Sequence, residues 1–205
     1  MFNGKPMIAW TIEAARESDQ FDRVFVSTDS EEIAAIAKKH DVDVPFLRDQ
    51  YCDDVSSVSD VTVYALEQIE KKLGEKFEVV AQLMASCPLR TAKTIREGMT
   101  KFYESKVDFQ MSCFKFGWMN PWWALSLDGE NRPRKMFPEA LEKRSQDLPE
   151  LYCPTGALWI ARVDKLLKSK TFYGPDHRFF PIHWRGAIDI DNQEDWEMAE
   201  LLSGR

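Results

Sequence analysis

No run of basic residues is present in this chain of 205 residues, whose net charge is −7. That excludes a protein that neutralises nucleic-acid phosphates or a membrane surface in bulk, and leaves room for a small anionic substrate gripped by a few placed arginines. No apolar stretch approaches the length of a membrane span, and the opening residues have no secretory-leader pattern; the expectation is a cytoplasmic protein with no membrane partner. The four cysteines (Cys52, Cys87, Cys113, Cys153) are far apart and form no C-x-x-C pair. They read as reduced thiols rather than a disulfide frame or a zinc site. His40, His177 and His183 show no ligand spacing. There is no G-x-x-x-x-G-K-[ST], no G-x-G-x-x-G and no G-x-S-x-G, so P-loop, dinucleotide and serine-hydrolase readings fall away. With no repeat and no low-complexity linker, residues 1–205 read as one domain, long enough for a proper core.

What the chain does have is alternation. Pro6 and the stripe Ile8, Ile12, Ala15 predict a helix over 5–18. Arg23-Val-Phe-Val-Ser27 reads as a buried strand, Ser30 as the cap of a helix over 31–39, and 42–47 as a second strand ending at Arg48. A polar loop over 49–54 leads to a helix over 57–73. A strand over 77–83, a helix over 92–105 capped by Thr91, and a strand over 107–114 follow. Strand and helix alternating at short intervals predict α/β architecture with βαβ units and a mainly parallel sheet. Residues 116–151 break the pattern with Pro121-Trp122-Trp123, a turn at Asp128-Gly-Glu-Asn131 and many charges. They read either as a hairpin excursion with exposed aromatics at a subunit contact or as a surface loop whose tryptophans cover the core. Regular structure resumes with a strand at 156–160, a helix at 163–167, a short strand Ala187-Ile188 and a helix from 193 to 202 capped by Asn192.

That short strand runs into Asp189 and Asp191. In an extended chain residues two apart share a side, so both carboxylates can address one point. Magnesium commonly takes one or two carboxylates and leaves its other positions to water and phosphate. The bland alternative is a solvated strand-to-helix turn. In an open parallel sheet, ligands bind beyond the carboxyl ends of the strands. There the chain places Thr28-Asp29, Arg48, the Met84-to-Arg90 loop and the acidic pair. Two arginines and a carboxylate pair suit a phosphate-bearing substrate with Mg²⁺.

Six stretches come in one order across nearly the whole chain: Asn3-Gly-Lys-Pro-Met-Ile-Ala-Trp-Thr-Ile-Glu-Ala-Ala15; Phe21-Asp-Arg-Val-Phe-Val-Ser-Thr-Asp29; Val44-Pro-Phe-Leu-Arg48; Cys87-Pro-Leu-Arg90; Gln146-Asp-Leu-Pro-Glu-Leu-Tyr152 with Gly156 after it; and Ile188-Asp-Ile-Asp-Asn192 with Ala199-Glu200. Together they resemble the acylneuraminate cytidylyltransferases, the CMP-sialic acid synthetase group that includes enzymes for legionaminic and pseudaminic acids. The resemblance implies a three-layer Rossmann-like nucleotidyltransferase fold. It implies transfer of CMP from CTP to the anomeric hydroxyl of a nonulosonic acid, a nine-carbon α-keto-acid sugar, with release of pyrophosphate and with Mg²⁺ as cofactor. Asp189 and Asp191 match the metal-binding catalytic pair. Arg48 and Ser57, with Arg90 in its loop, fall at nucleotide-binding positions. Met84, Arg144, Gln146, Tyr152, Thr155 and Gly156 fall around the sugar, Arg144 as the arginine that reaches the sugar carboxylate across a homodimer interface, with the excursion at that interface.

Departures from the family pattern set further expectations. The family opens with a strand and a P-A-R-x-G-S-K loop that holds the triphosphate, and residues 1–205 contain neither. That strand would be central in the sheet, so two neighbours are expected to show unpaired edges. Two explanations stand: a shortened form of a full enzyme, or a remnant whose sheet is completed in another way, the partner subunit included. Met84-Ala-Ser-Cys87 stands where the family often has Q-P-T-S, and Thr155-Gly156 where it has N-G, which alters the hydrogen bonds offered to the sugar. The alternatives to the sialic-acid-type enzyme are a non-catalytic binding or scaffold relative and a nucleotidyltransferase for another keto-acid sugar. The expected outcome for residues 1–205 alone is little or no turnover of CTP in a pyrophosphate-release assay, and robust CMP-sugar synthesis overturns it.

Overall fold

Most helix starts in this chain are set by local caps. The computed structural model describes residues 1–53 and 55–204; Asp54, the end of the loop expected over 49–54, and Arg205 lie outside the described residues. Helix α1 (Met7–Glu17) begins two residues later than the apolar stripe predicts. Phe2 and Lys5 exchange backbone hydrogen bonds of 2.7 and 3.1 Å around Asn3 and Gly4, both at positive φ, so Lys5 is held in a turn and Pro6 opens the helix. Ser30 accepts from the Ile33 N–H ahead of α2 (Glu31–Lys39), and Ser57 from the Asp60 N–H ahead of α3 (Val58–Leu73). Thr91 accepts from the Thr94 N–H ahead of α4 (Ala92–Ser105). Each such oxygen satisfies an amide that the first helical turn leaves without a partner.

Strands β1 (Val79–Gln82), β2 (Phe109–Lys115), β5 (Tyr152–Arg162) and β6 (His177–Pro181) form a sheet in the order β1-β5-β2-β6, with β3 and β4 in the excursion. The sheet is mixed: β5 is antiparallel to both neighbours, while β2 and β6 are parallel. β5 runs eleven residues where five were predicted. Helix α5 (Val163–Ser169) follows it directly. The stretches predicted as strands at 23–27 and 42–47 lie side by side in parallel, joined by bridges at Phe25–Asp43 and Thr28–Leu47 rather than by a continuous ladder. The predicted strand at Ala187-Ile188 is absent. A 3₁₀ turn, Trp184–Ala187, occupies that place, started by the His183 side chain accepting from the Arg185 N–H, and Ile188 leaves it in an extended conformation. Two apolar residues are too few for a strand once a cap is available upstream. Helix α6 (Gln193–Leu202) starts at Asn192 as predicted, with a reciprocal capping box to Asp195.

Side-chain alternation sorts the layers. Val79, Ala81 and Leu83 pack with Ala14 of α1 and Ile95, Met99 and Phe102 of α4. Val80 packs on the other face with Val63 and Leu66 of α3. Val24 and Val26 meet Ile8 and Ile12 of α1, whereas Phe25 meets Tyr64 and Ile69 of α3. The chain is therefore α/β in three layers: α1 and α4, then strands, then α3. No helix among the described residues is long and apolar enough to cross a membrane.

In the excursion, β3 (Leu125–Leu127) and β4 (Pro133–Lys135) pair antiparallel about a turn in which the Asp128 carboxylate accepts from the Glu130 and Arg132 amides. Trp122 donates to the Pro149 carbonyl and Trp123 to that of Ala140, so both indoles tie the excursion to itself. Trp118 is 85% exposed. The contact of α4 with β5 generates a stability test. A β-carbon on Gly98 would lie 2.3 Å from Cδ2 of Leu158, which is fully buried. Gly98→Ala is expected to cost about 1–3 kcal/mol by overpacking, read as a lower urea midpoint with an unchanged slope.

Candidate functional site

Four buried side-chain atoms among the described residues have no hydrogen-bond partner: Ser27 Oγ, Arg48 Nε, Arg90 Nε and Asp189 Oδ1. A buried polar atom without a partner is rare and calls for a reason. They fall in two pairs, Ser27 with Arg48 where segments 23–28 and 43–48 end, and Arg90 with Asp189 at the 84–90 loop. Ser27, Arg48 and Met84-Ala-Ser86 border a common cavity of about 850 Å³.

On one side of this region, Arg48 donates to the Ser27 carbonyl at 3.5 Å and to Asp29 Oδ1 at 3.4 Å, both long contacts. Its side chain is mostly covered, yet it is held loosely enough to turn toward an anion. Ser57, predicted beside the nucleotide, is engaged in the α3 cap: its hydroxyl accepts from the Asp60 N–H and donates to Asp60 Oδ2 at 2.6 Å.

Arg90 sits differently from the sequence expectation of a nucleotide contact. It is 3% exposed. Its guanidinium donates to the Ala157 carbonyl at 2.8 Å, the Met84 carbonyl at 3.1 Å and Thr11 Oγ1 at 2.7 Å. Burial pulls its pKa down to about 10, against the opposing pull of Cys87 and Asp189, so it stays charged near neutral pH. The geometry gives it a positioning role: one cation joins α1, the 84–90 loop and β5.

The inner cluster brings together several predicted residues and one that was missed. The Met84 amide donates to the Gly156 carbonyl at 3.1 Å. A β-carbon on Gly156 would lie 1.9 Å from the Met84 sulfur, so these two predicted sugar-side residues pack on each other and require glycine there. Thr155 is buried and donates from Oγ1 to the Ala187 carbonyl at 3.0 Å, anchoring the chain just before the acidic pair. Cys87 went unnoticed as a site residue. It is fully buried beside Asp189, Arg90 and Thr155, and burial first, then the Asp189 charge, pushes its thiol up to about 12. Its place three residues before Arg90 in one short loop was the available signal.

Asp189 and Asp191 share an extended segment but not an environment. Asp189 is half-buried with one oxygen fully covered, while Asp191 is exposed. The Ile190 amide donates to the Ser86 carbonyl at 2.9 Å, pinning the segment to the loop. Asp195 Oδ2 accepts from the Asp191 and Asn192 amides, so the α6 cap fixes the backbone of Asp191. No group of three or more His, Cys, Asp or Glu side chains placed to hold a metal ion occurs among the described residues. The donor set fits a cation that needs only one or two carboxylates, because Asp189 presents a covered, unpartnered oxygen and Asp191 lies two residues on.

Arg144, Gln146 and Tyr152 stand apart from this cluster. Arg144 makes a forked pair with Asp147 at 2.7 and 3.1 Å. Gln146 accepts from Ser145, and the Tyr152 hydroxyl donates to Glu150, which also pairs with Lys115. All three are exposed, and no hydrogen bond or ion pair among the described residues links them to Asp189 or Arg48.

Comparison with known proteins gives the chain its relatives. The family profile described as cytidylyltransferase matches residues 1–116. A pseudaminic acid cytidylyltransferase of Campylobacter jejuni is 31% identical over 203 residues, covering 98% of this chain and 86% of that protein. A CMP-N,N'-diacetyllegionaminic acid synthase of Legionella pneumophila is 31% identical over 209 residues, 97% of this chain and 85% of the other. An N-acylneuraminate cytidylyltransferase of Escherichia coli is 27% identical over 97% of this chain and 46% of its own length. Among solved structures, a CMP:2-keto-3-deoxy-manno-octonic acid synthetase complexed with CTP superposes with a TM-score of 0.69 at 13% identity, over 98% of this chain and 89% of that one, which speaks to the fold.

Two outcomes follow from the cluster. Arg90→Met is expected to lower stability by roughly 3 kcal/mol in urea unfolding, because three acceptors lose their donor inside the protein. With a thiol reagent at pH 8, exposed Cys52 is expected to react promptly and Cys87 only on unfolding; prompt labelling of Cys87 in the folded chain contradicts the cluster.

Proposed function

The chain belongs to the cytidylyltransferase family, and on that premise we propose that it transfers the CMP group of CTP to the anomeric hydroxyl of a nonulosonic acid. Similarity across nearly the full chain to pseudaminic and legionaminic acid enzymes supports this class of acceptor. The observation that carries the site assignment is the set of unpartnered buried atoms around the 84–90 loop, above all the covered oxygen of Asp189. An enzyme that handles a charged substrate keeps such groups free until the ligand arrives, at a cost in stability.

Asp189 and Asp191 would hold Mg²⁺, which when bound neutralises charge on the phosphate oxygens. Arg48 turns its loosely held guanidinium from Asp29 toward the nucleotide phosphates. Met84, Thr155 and Gly156 shape the apolar and carbonyl-lined wall beside the sugar. The sugar hydroxyl oxygen bonds to the α-phosphorus as the bond from that phosphorus to the pyrophosphate oxygen breaks. Pyrophosphate leaves with the electron pair, and the hydroxyl proton passes to solvent. The chain contributes alignment and charge complementarity rather than a covalent step.

On the same proposal, Arg144 would bind the sugar carboxylate held by a second subunit, in a homodimer built on the excursion. Exposed Trp118, Leu127 and Met136 in the excursion, and an exposed Arg144 in the same segment that pairs with Asp147, favour that arrangement. Trp118→Glu is expected to shift the chain from dimer to monomer by light scattering, with thermal stability of the monomer unchanged.

Titration calorimetry tests the acidic pair. Magnesium is expected to tighten CTP binding by about tenfold or more in the wild type and not in Asp191→Asn, while the two proteins melt within about 2 °C of each other. Equal affinity in both, or a large loss of stability, returns Asp191 to a structural role in the α6 turn. For a protein extended by the family's strand and P-A-R-x-G-S-K loop, pyrophosphate release with pseudaminic, legionaminic and N-acetylneuraminic acids, and none with sugars lacking the keto acid, tests the acceptor class.

A further inference from the structure

The ladder between β2 and β5 is interrupted at one place. Met111 pairs with Trp159 and Cys113 with Pro154, so Thr155, Gly156, Ala157 and Leu158 all stand opposite Ser112 alone. The surplus residues leave the ladder as a bulge in β5. All of them are buried, so their backbone groups must find partners outside the ladder. The carbonyls find them at the functional end of the sheet. Gly156 accepts from the Met84 amide at 3.1 Å, and Ala157 from the Arg90 guanidinium at 2.8 Å. The Thr155 hydroxyl, carried on the same bulge, donates to the Ala187 carbonyl at 3.0 Å. In a regular ladder those carbonyls would face neighbouring strands, and β5 would hold neither the 84–90 loop nor the chain that leads to Asp189.

One hydroxyl closes the bulge. Ser112 Oγ accepts from the Leu158 amide at 2.9 Å and donates to the Thr155 carbonyl at 2.9 Å, which ties the two ends of the bulge together. The Trp159 indole donates to the same carbonyl at 2.8 Å. Ser112 is fully buried, in a strand whose residues from Phe109 to Cys113 are all buried. A hydroxyl offers a donor and an acceptor on one atom close to its own backbone, so it can stand in for both halves of a missing ladder pair. Alanine at this place leaves the Leu158 amide buried with no acceptor. Valine does the same and adds volume to a filled space.

We propose that Ser112 is a positioning residue for the transfer reaction: its hydroxyl holds the β5 bulge in the shape that sets Met84 and, through Thr155 and Ala187, the carboxylate of Asp189. Ser112 does not line the cavity of about 850 Å³ and acts only through β5. The effect reaches the site by two routes. One runs from Gly156 and Ala157 to the 84–90 loop. The other runs from Thr155 to Ala187, two residues before Asp189. The Ile190 amide, bound to the Ser86 carbonyl at 2.9 Å, joins the two routes, so a change in the bulge moves the loop and the acidic pair together. The catalytic purpose rests on the reaction proposed above; the placement of the loop and the acidic segment does not.

Hydrogen exchange followed by NMR on the full 205-residue chain tests it. The wild type is compared with Ser112→Ala and with Leu166→Val, a core variant in α5 that loses stability away from the bulge. In Ser112→Ala the amides of Met84, Leu158 and Ile190 are expected to exchange about tenfold or more faster, beyond any change in the buried amides of α4. In Leu166→Val the two sets are expected to change together. By calorimetry, magnesium is expected to tighten CTP binding in Leu166→Val as in the wild type, and by about twofold or less in Ser112→Ala. Ser112→Cys keeps a weak donor and acceptor in nearly the same place and serves where the alanine chain does not fold; the same amides are then expected to quicken about threefold. The proposal is overturned if the Leu158 amide exchanges freely in the wild type, or if the Ser112 variants speed Met84 and Ile190 no more than α4. It is equally overturned if Ser112→Ala keeps the wild-type response to magnesium. A wild type whose CTP affinity ignores magnesium overturns the reaction instead, and the exchange rates alone then decide whether Ser112 places the loop and the acidic segment.

Discussion

A single buried cation organises the functional end of this molecule. The Arg90 guanidinium reaches Thr11 on α1, Met84 in its own loop and Ala157 on β5, and is almost wholly withdrawn from water. A charge in that setting is costly unless most of its donors are matched, so the three acceptors that meet its two terminal nitrogens are fixed together while Nε stays unpartnered. The loop that holds Met84, Cys87 and Ser86 inherits its shape from that requirement. So does the 188–191 segment, because the Ile190 amide docks on the Ser86 carbonyl.

The acidic pair is held from two sides by unlike means. Upstream, Thr155 grips the Ala187 carbonyl from within β5, and Cys87 covers one flank of Asp189. Downstream, the Asp195 carboxylate caps the amides of Asp191 and Asn192. One carboxylate is thus set in the protein and the other stands in water on a backbone that the helix cap has fixed. A site of this kind offers one preorganised oxygen and one that can move, which suits a cation whose remaining positions are filled by substrate.

The helices were legible in the sequence because their signals are local. Ser30, Ser57, Thr91 and Asn192 each cap within three residues of themselves, and the structure follows them closely. The site was legible only in outline. The inward turn of Arg90 depends on residues 67 and 79 positions away, which no short window contains. The same holds for the packing of Met84 on Gly156, visible in sequence only as two separate positions. The strand expected at Ala187-Ile188 gave way to a 3₁₀ turn because the His183 cap acts earlier in the chain. Segments 23–27 and 42–47 read as full strands from composition, but a strand forms a ladder only where neighbours offer their edges, and here the pairing is confined to bridges.

Stability and chemistry meet at the end of the sheet. Ser27 lies near the end of segment 24–28, whose pairing with the segment ending at Arg48 is confined to bridges, and Met84 follows β1, the end strand of the sheet, so the site is built on a part of the fold with little backbone pairing. The antiparallel β5, flanked by β1 and β2 and backed by α4, carries the opposite character: it is long, doubly paired and almost continuously buried from Thr155 to Leu158. Thr155, Gly156 and Ala157 are therefore fixed reference points, while Arg48 and Asp29 are not. A rigid strand that supplies a carbonyl to the Arg90 guanidinium and a hydroxyl to the Ala187 carbonyl faces a looser pair of segments whose Arg48 makes only long contacts, so the Arg48 side can adjust without disturbing the carboxylates.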